Sequence, residues 1–379
     1  MNPPALLLPP APRLLVRGVN WLGDAVMTAA ALSRVREKYP AARLALLTPE
    51  KLGGLWLNHP AVDEIICSGP GEGVFSVARK LRAGRFDLAL VLPNSPRSAI
   101  EPWLAGIPRR IGSARPWRNF FLTQAIPPRA GAVRMQKLSV AEIKRRAAAE
   151  GDRQPASDGG VLPNAATDHQ IHEYLHLAAA LGANPEPLAP QLFVTPGEVE
   201  AAKKKFGLEN LPAPVFGLNP GAEYGPAKRW PVEHFIAAAK DIQRRTHCLW
   251  ILLGGGSDEA ITGRIQSAIG HQPLAINLAG RTSLRELMAL LKLCRVLLTN
   301  DTGPMHLAAA LGTPVVALFG STSPELTGPG LPGGQGHRLL KSDAPCSPCF
   351  RRECPIDFRC MNGLRVERVA DAVIEALTL

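Results

Sequence analysis

Aromatic side chains are scarce in this 379-residue chain, at 5% of residues with tyrosine present three times. A core here must be built from aliphatic and small side chains. No hydrophobic run reaches the ~18 apolar residues a helix needs to cross a bilayer. Met1 to Pro12 is broken by prolines around a short apolar run, Ala5 to Leu8. That run is too short for a secretory leader, so a cytoplasmic protein is expected. Acidic residues are in deficit, 32 against 43 Lys and Arg, giving a net charge of +11. The imbalance calls for an anionic partner: nucleic acid, a phosphorylated substrate or an acidic membrane face. Cysteines number seven, an odd count that speaks against a disulfide scaffold and fits a reducing compartment.

Several motifs are missing as well. The first strand–helix turn lacks the GxGxxG of dinucleotide-dependent oxidoreductases, and no Lys-Ser/Thr pair follows the glycines as a P-loop requires. RRM, helix-turn-helix and KH signatures are absent, so a nucleic-acid partner is not expected. No Asp-x-Asp triplet offers itself to bridge a diphosphate through a divalent ion. What is present is ordinary for a loop-punctuated enzyme: 46% hydrophobic, 20% charged, 35 Gly and 36 Pro. At ~150 residues per domain, the length predicts two or three domains.

Apolar runs and helical periodicities alternate along the chain. Arg13 to Val19 reads as a strand, Ala25 to Lys38 as a helix opened by Asp24, and Arg43 to Thr48 as a strand. Runs at Glu64 to Cys67 and Asp87 to Leu92 continue the series. The stretch 144–169 is charged and then polar, and reads as an insertion without regular structure. Tyr174 to Leu181 is helical, and Pro185 to Pro196 reads as a linker. The second half repeats the alternation, with strands at Val215 to Leu218, Leu249 to Leu253, Val296 to Thr299 and Val315 to Phe319. Helices are predicted at Pro231 to Arg245, Leu284 to Leu293 and Met305 to Leu311. Such alternation builds parallel sheets covered on both faces. Two doubly wound α/β domains facing one cleft are therefore expected. A last helix, Val366 to Leu377, could pack on either.

The chemistry-bearing residues fall at strand ends. Thr299-Asn300-Asp301-Thr302-Gly303-Pro304-Met305-His306 joins a strand to a helix whose free N–H groups and dipole suit a phosphate. Asn219 to Pro231 is a Gly/Pro loop holding Lys228 and Arg229, suited to closing over a pyrophosphate. Gly254-Gly255-Gly256-Ser257-Asp258-Glu259 permits close approach of a nucleotide, with a carboxylate for ribose hydroxyls. In the first half, Asn20-Trp21-Leu22-Gly23-Asp24 is a tight turn that would aim a carboxylate outward as a base, or simply cap a helix. Pro93 to Ser98 and Arg109 to Arg118 read as polar and basic loops. Cys346, Cys349, Cys354 and Cys360 form a compact group whose spacing matches neither a two-knuckle zinc site nor a ferredoxin run. A structural zinc, an iron–sulfur cluster and reduced free thiols stay open for it. Cys67, Cys248 and Cys294 read as core residues.

Three of these motifs, Asn20 to Asp24, Gly217 to Ala222 with Lys228 to Pro231, and Asn300 to His306, together resemble glycosyltransferase family 9, the ADP-heptose–lipopolysaccharide heptosyltransferases. The likeness lies nearest the type II enzymes, with types I and III, acting on other core acceptors, as the alternative. It implies a GT-B fold: a Pro-rich tail 1–12, an acceptor domain 13–190, an ADP-sugar domain 197–365 carrying the cysteines, and a helix 366–379. Asp24 would be the catalytic base and Lys228 would meet the leaving diphosphate. Donor contacts would fall on Asp301, Thr302, Gly303, His306, Gly255, Asp258, Glu259, Thr282 and Glu223. Acceptor contacts would fall on Arg17, Asn20, Asn94, Ser95, Arg97 and Arg110. The resemblance implies inverting transfer of heptose to heptosyl-Kdo2-lipid A, with no cofactor required for catalysis. It also implies peripheral attachment to the inner face of the cytoplasmic membrane.

Overall fold

A computed structural model of the chain describes residues 8–133, 135–148, 168–271, 274–331 and 336–378. They divide into two compact units: those of Met1–Ala132 with Gln170–Phe193, and those of Val133–His169 with Val194–Leu379. Most of the predicted insertion, 149–167, lies outside the described residues.

In the first unit, β1 (Arg13–Arg17), β2 (Arg43–Pro49), β3 (Glu64–Ser68), β4 (Leu88–Val91), β5 (Arg109–Ser113) and β6 (Gln124–Ile126) form one parallel sheet in the order β3-β2-β1-β4-β5-β6. The inner strands read as unbroken aliphatic runs, as strands covered on both faces must. Leu14, Leu15 and Val16 are buried together with Ala45, Leu46 and Leu47 of β2, to which β1 pairs in register. A helix over Leu22–Lys38 follows β1. Its small residues let it pack closely, and Ala30 meets Ile171 and Leu175 of the helix Ile171–Ala179.

The second unit holds β7 (Val215–Asn219), β8 (Leu249–Leu252), β9 (Ala275–Asn277), β10 (Leu297–Asn300), β11 (Val315–Phe319) and β12 (His337–Lys341), ordered β12-β11-β10-β7-β8-β9. Numbered within its own half, this is the same Rossmann order as the first. Each sheet therefore reverses direction at one place, between β1 and β4 and between β7 and β10. Crevices for ligands form at the carboxyl ends of strands at such a switch point. The last helix, Val366–Ala376, packs in the second unit: Val369, Ala370 and Val373 share a core with Phe235, Ile242 and Leu340.

The structure departs from the sequence reading in three places. Arg109–Ser113 is strand β5 and not a loop. A helix that was not expected, Pro196–Phe206, follows the stretch read as a linker and is opened by a reciprocal cap: Thr195 Oγ1 accepts from Glu198 N and Glu198 Oε2 from Thr195 N. The segment 133–148, which adjoins the first unit in sequence, packs within the second. Leu138 N donates to Cys349 O at 3.1 Å, Arg351 donates to Leu138 O, and Arg359 to Ala147 O.

Candidate active site

The switch point of the second unit is built from hydrogen bonds that lock two loops together. Asn219, the last residue of β7, donates from Nδ2 to Thr299 Oγ1 at 3.1 Å and Thr302 Oγ1 at 3.2 Å. Asn300, ending β10, accepts from Trp230 N at 3.1 Å and donates to Pro220 O at 2.8 Å. These bonds set the 220–231 loop beside the start of the helix Gly303–Ala310. Within that frame, Lys228 Nζ lies 2.6 Å from Asp301 Oδ2, and Thr322 Oγ1 donates to the same oxygen at 2.6 Å. Asp301 is buried, and its ammonium and hydroxyl partners replace the water it has lost. Thr302 is the N-cap of the helix but makes no side-chain cap bond, and Gly303 and Pro304 follow as its first residues. The free amides of that first turn are suited to an anion.

The loop carrying Lys228 is braced from the cysteine segment. The Lys228 ammonium lies 4.9 Å from the Tyr224 ring centroid, and the Arg352 guanidinium lies 5.2 Å from it. Tyr224 Oη donates to Phe350 O at 2.8 Å, and Ala227 N to Arg352 O at 3.0 Å. Gly225 makes this approach feasible: its φ is 148°, and a Cβ there would stand 2.5 Å from Arg352 O. Phe350 N in turn donates to Ser321 O at 2.7 Å, and Ser347 Oγ to Gly320 O at 2.7 Å, tying the segment to the end of β11.

His306 sits on the first turn of the Gly303–Ala310 helix, buried in the shadow of Asp301. Burial lowers its pKa to about 4, against an opposing pull from the Asp301 carboxylate. It is therefore neutral at physiological pH, able to donate one hydrogen bond and accept another. His59 and His337 are lowered to about 4 by burial too. Depressed histidines favour the fold fully above their unfolded pKa near 6.5, and that contribution is lost as pH falls toward 4. The melting temperature is thus expected to hold steady from pH 8 to 7 and to decline between 6.5 and 4.5, before most carboxylates titrate. A flat thermal-melt profile across that window would contradict the burial of these rings.

The remaining predicted donor residues lie along the same sheet edge. Gly255 N donates to Asp258 Oδ2 at 3.0 Å, Arg229 stands 3.8 Å from Asp258 Oδ1, and Gly280 N donates to Gly254 O at 3.0 Å. Asp258 is buried and engaged, while Glu259 beside it is exposed. Thr282 is half-buried in the turn after β9, and Glu223 is exposed on the 220–231 loop.

In the first unit, Asp24 stands two residues into the helix Leu22–Lys38, whose N-cap is Trp21. Gln170 Nε2 donates to Asp24 Oδ1 and to Tyr174 Oη, each at 3.0 Å. Burial, reinforced by the Asp24 charge, raises the Tyr174 pKa well above its ordinary value, so the phenol stays protonated. Asn94 accepts from Ser113, and Ser95 caps the helix Pro96–Leu104 by accepting from Ser98 N. Asn20, Asp24, Asn94 and Ser95 all follow the carboxyl ends of β1 and β4, at this sheet's own switch point.

Arg17, Arg97 and Arg110 are placed differently. Arg17 is buried, with Nε 2.8 Å from Glu101 Oε2 and Nη1 bonded to Gly18 O and Asn20 Oδ1. Arg97 holds the other Glu101 oxygen at 3.1 Å. Arg110 enters β5 near its amino end and spends its guanidinium on the carbonyls of Phe121 and Ile107. Glu101 is fully buried, so Glu101→Ala strands a buried guanidinium. Removing one partner of a buried pair costs about 3–5 kcal/mol. Urea unfolding should register a loss of that size, and a change under about 1 kcal/mol would deny the pair a structural role.

Of the four late cysteines, Cys346, Cys349 and Cys360 lie in apolar surroundings. Among the described residues, no group of three or more His, Cys, Asp or Glu side chains is set to hold a metal ion. Cys346 and Cys349 pack with Leu138, Ile143 and Ile356, and Cys360 lies in the core beside Met361. Burial and the neighbouring sulfurs raise the thiol of Cys360 to about 12, and burial raises Cys346 and Cys349 as well. Of the readings left open for this group, nothing among the described residues supports a zinc or iron–sulfur site. Cys248 and Cys294 are buried in the core as read from the sequence, while Cys67 is only half-buried.

Asn219 and Tyr224, given no individual role in the sequence reading of their loop, and Thr322, not read there at all, stand among the candidate-site residues. Thr322 had a signal: Gly320-Ser321-Thr322-Ser323 is another small polar run directly after a parallel strand.

Two Rossmann-ordered units with a cationic, amide-lined switch point define a GT-B glycosyltransferase. The sequence profile of glycosyltransferase family 9 (heptosyltransferase) matches residues 139–358. Lipopolysaccharide heptosyltransferase 2 of Escherichia coli K12 is 33% identical over 332 residues, 84% of this chain and 85% of that protein. The solved structure of E. coli ADP-heptose LPS heptosyltransferase II superposes with a TM-score of 0.75 at 28% identity, covering 97% of this chain and 98% of the other. A family 9 glycosyl transferase from Veillonella parvula shares the fold, with a TM-score of 0.78 at 22% identity over 99% of both chains. The chain belongs to glycosyltransferase family 9, the heptosyltransferases.

Proposed function

We propose that this enzyme transfers heptose from ADP-heptose to heptosyl-Kdo2-lipid A, with inversion at the anomeric carbon. The observation that carries this is the pairing of Lys228 with Asp301 beside the open amides of Thr302 and Gly303. A diphosphate seated there is met by a cation, by unpaired N–H groups and by the positive end of a helix. Asp301 and the neutral His306 offer acceptors and a donor for the sugar hydroxyls. Glu259, exposed where Asp258 is engaged, takes the ribose, and Gly255 and Thr282 border the nucleoside. Asp24, oriented by Gln170, removes the proton from the acceptor hydroxyl. That oxygen bonds to the anomeric carbon as the carbon–oxygen bond to phosphate breaks, and ADP leaves with the electron pair. Donors fixed where charge develops are the larger share of such catalysis.

Asn20, Asn94 and Ser95 stand where an acceptor would meet Asp24, whereas Arg17 acts by holding Asn20 through its internal bonds. The type II acceptor is favoured because relatives 30–33% identical over 83–84% of this chain carry that name, while a heptosyltransferase 3 matching 80% of it is 22% identical. A lipid-bearing acceptor and a net charge of +11 support peripheral attachment to the inner face of the cytoplasmic membrane. Among the described residues, no helix is long and apolar enough to cross one.

The test is mass spectrometry of products from ADP-heptose and defined cores lacking successive heptoses. Addition of one heptose to the core that already carries one is expected. Addition only to the heptose-free core would move the assignment to type I, and no addition to any core would refute the donor.

A further inference from the structure

In a chain poor in aromatics, three of the large rings exposed on the first unit fall within one stretch, 103–120. Trp117 is 91% exposed, Phe120 79% and Trp103 40%. Trp103 stacks near Phe120 and Phe121, with centroids 6.3 and 5.3 Å apart, and Trp117 heads the same loop as Phe120. Contiguous exposed apolar surface of this kind marks an interaction site. The loop is well anchored. Arg118 is buried and donates to Pro93 O at 2.8 Å and Ser113 Oγ at 3.0 Å, and Arg110 Nε donates to Phe121 O at 2.7 Å. Trp117 itself adopts φ 65°, a left-handed backbone that bulky residues avoid. The fold thus accepts strain at a residue whose indole it leaves in solvent.

The charge around these rings has one sign. Within the first unit, residues 102–132 contain five Arg and no Asp or Glu. Arg115 is exposed two residues before Trp117, and Arg109 and Arg110 border the turn. A second copy of this chain, itself at net +11, would meet that surface with repulsion. Indole and phenyl rings flanked by guanidinium groups are instead the composition that settles at lipid headgroups, ring in the acyl boundary and cation on phosphate.

We infer that Trp103, Trp117 and Phe120 dock the first unit on an anionic bilayer surface, with the exposed Arg115 on a lipid phosphate. The inference rests on the lipid-borne acceptor proposed above and says which face meets the lipid. Arg118 ties the loop to the carboxyl ends of β4 and β5, the edge at which Asn94 and Ser95 await the acceptor. Docking there delivers a membrane-anchored sugar to the right end of the sheet.

Full-length wild type and the Trp117→Ser/Phe120→Ser variant are floated with vesicles of phosphatidylcholine alone or with added phosphatidylglycerol, at low and high salt. Wild type should float with the anionic vesicles and release at high salt. The double variant, with an unchanged melting temperature, should partition at least ~10-fold more weakly. It should still glycosylate a deacylated, soluble core at the wild-type rate. If the double substitution lowers the melting temperature, Trp117→Ser alone serves and should weaken flotation in the same direction. Undiminished flotation of the variant, or a wild type that ignores anionic vesicles, overturns the proposal. So does a wild-type dimer in sedimentation velocity that the substitutions dissociate. Failure of wild type to glycosylate the soluble core, with flotation and its loss intact, would refute the reaction and leave the docking surface standing.

Discussion

Asp24→Asn is expected to abolish heptose transfer while leaving ADP-sugar affinity nearly unchanged. The substitution keeps the size of the side chain and its bond from Gln170 Nε2 to Oδ1, but an amide cannot take a proton from a hydroxyl. General-base catalysis contributes on the order of 10²–10⁴ in rate, so kcat should fall by at least ~10². Donor affinity, measured by calorimetry with ADP, is assigned by the proposed reaction to residues of the second unit and should not follow. Glu in place of Asn restores a base at a longer reach, and partial rescue by Asp24→Glu would separate proton removal from helix packing. A variant Asp24→Asn that turned over at the wild-type rate would take the base assignment away.

Lys228→Met should strike both the donor and the fold of its loop. Losing one donor aimed at developing charge costs about 10²–10³ in kcat. Unlike Asp24→Asn, this change should also weaken ADP binding, since in the proposed reaction the ammonium meets the diphosphate before and during transfer. It also leaves Asp301 buried with Thr322 as its remaining side-chain hydrogen-bond donor among the described contacts. A buried carboxylate stripped of its cation is costly, so the melting temperature should fall as well. Lys228→Arg keeps the charge in a fork that fits Asp301 less closely, and should recover stability more than rate. Equal kcat in Lys228→Met and wild type would mean that the leaving group is stabilised elsewhere.

Much of the architecture could be read directly from residue patterns. Val315–Phe319 and Leu284–Leu293 fall where unbroken aliphatic content and helical spacing put them. The short edge strands β6, β9 and β12 were missed because three to five residues with mixed burial carry no periodicity. β5 was hidden by its opening pair Arg109 and Arg110, the second of which spends its guanidinium on backbone carbonyls. The helix Pro196–Phe206 was announced by Thr195-Pro196-Gly197-Glu198, a capping signature obscured by surrounding prolines.

The site was legible to the extent that chemistry sits at strand ends. Lys228, Asp301 and Thr302 come together as their motifs suggested, because parallel strands deliver successive loops to one edge. What the sequence concealed were partners distant along the chain. Gln170 reaches Asp24 across 146 positions, and Thr322 reaches Asp301 from the following strand. Arg17, read as an acceptor contact, turned inward because Glu101 on the helix Pro96–Leu104 claims it.

The cysteine-bearing stretch meets no substrate group in the proposed reaction, yet through Phe350, Arg352 and Leu364 it accepts bonds from Tyr224, Ala227 and Trp230. Those three flank Lys228 on either side. The 346–364 tail therefore works as a strut beneath the diphosphate loop, and damage to the strut would register as poor nucleotide handling far from the damaged residue.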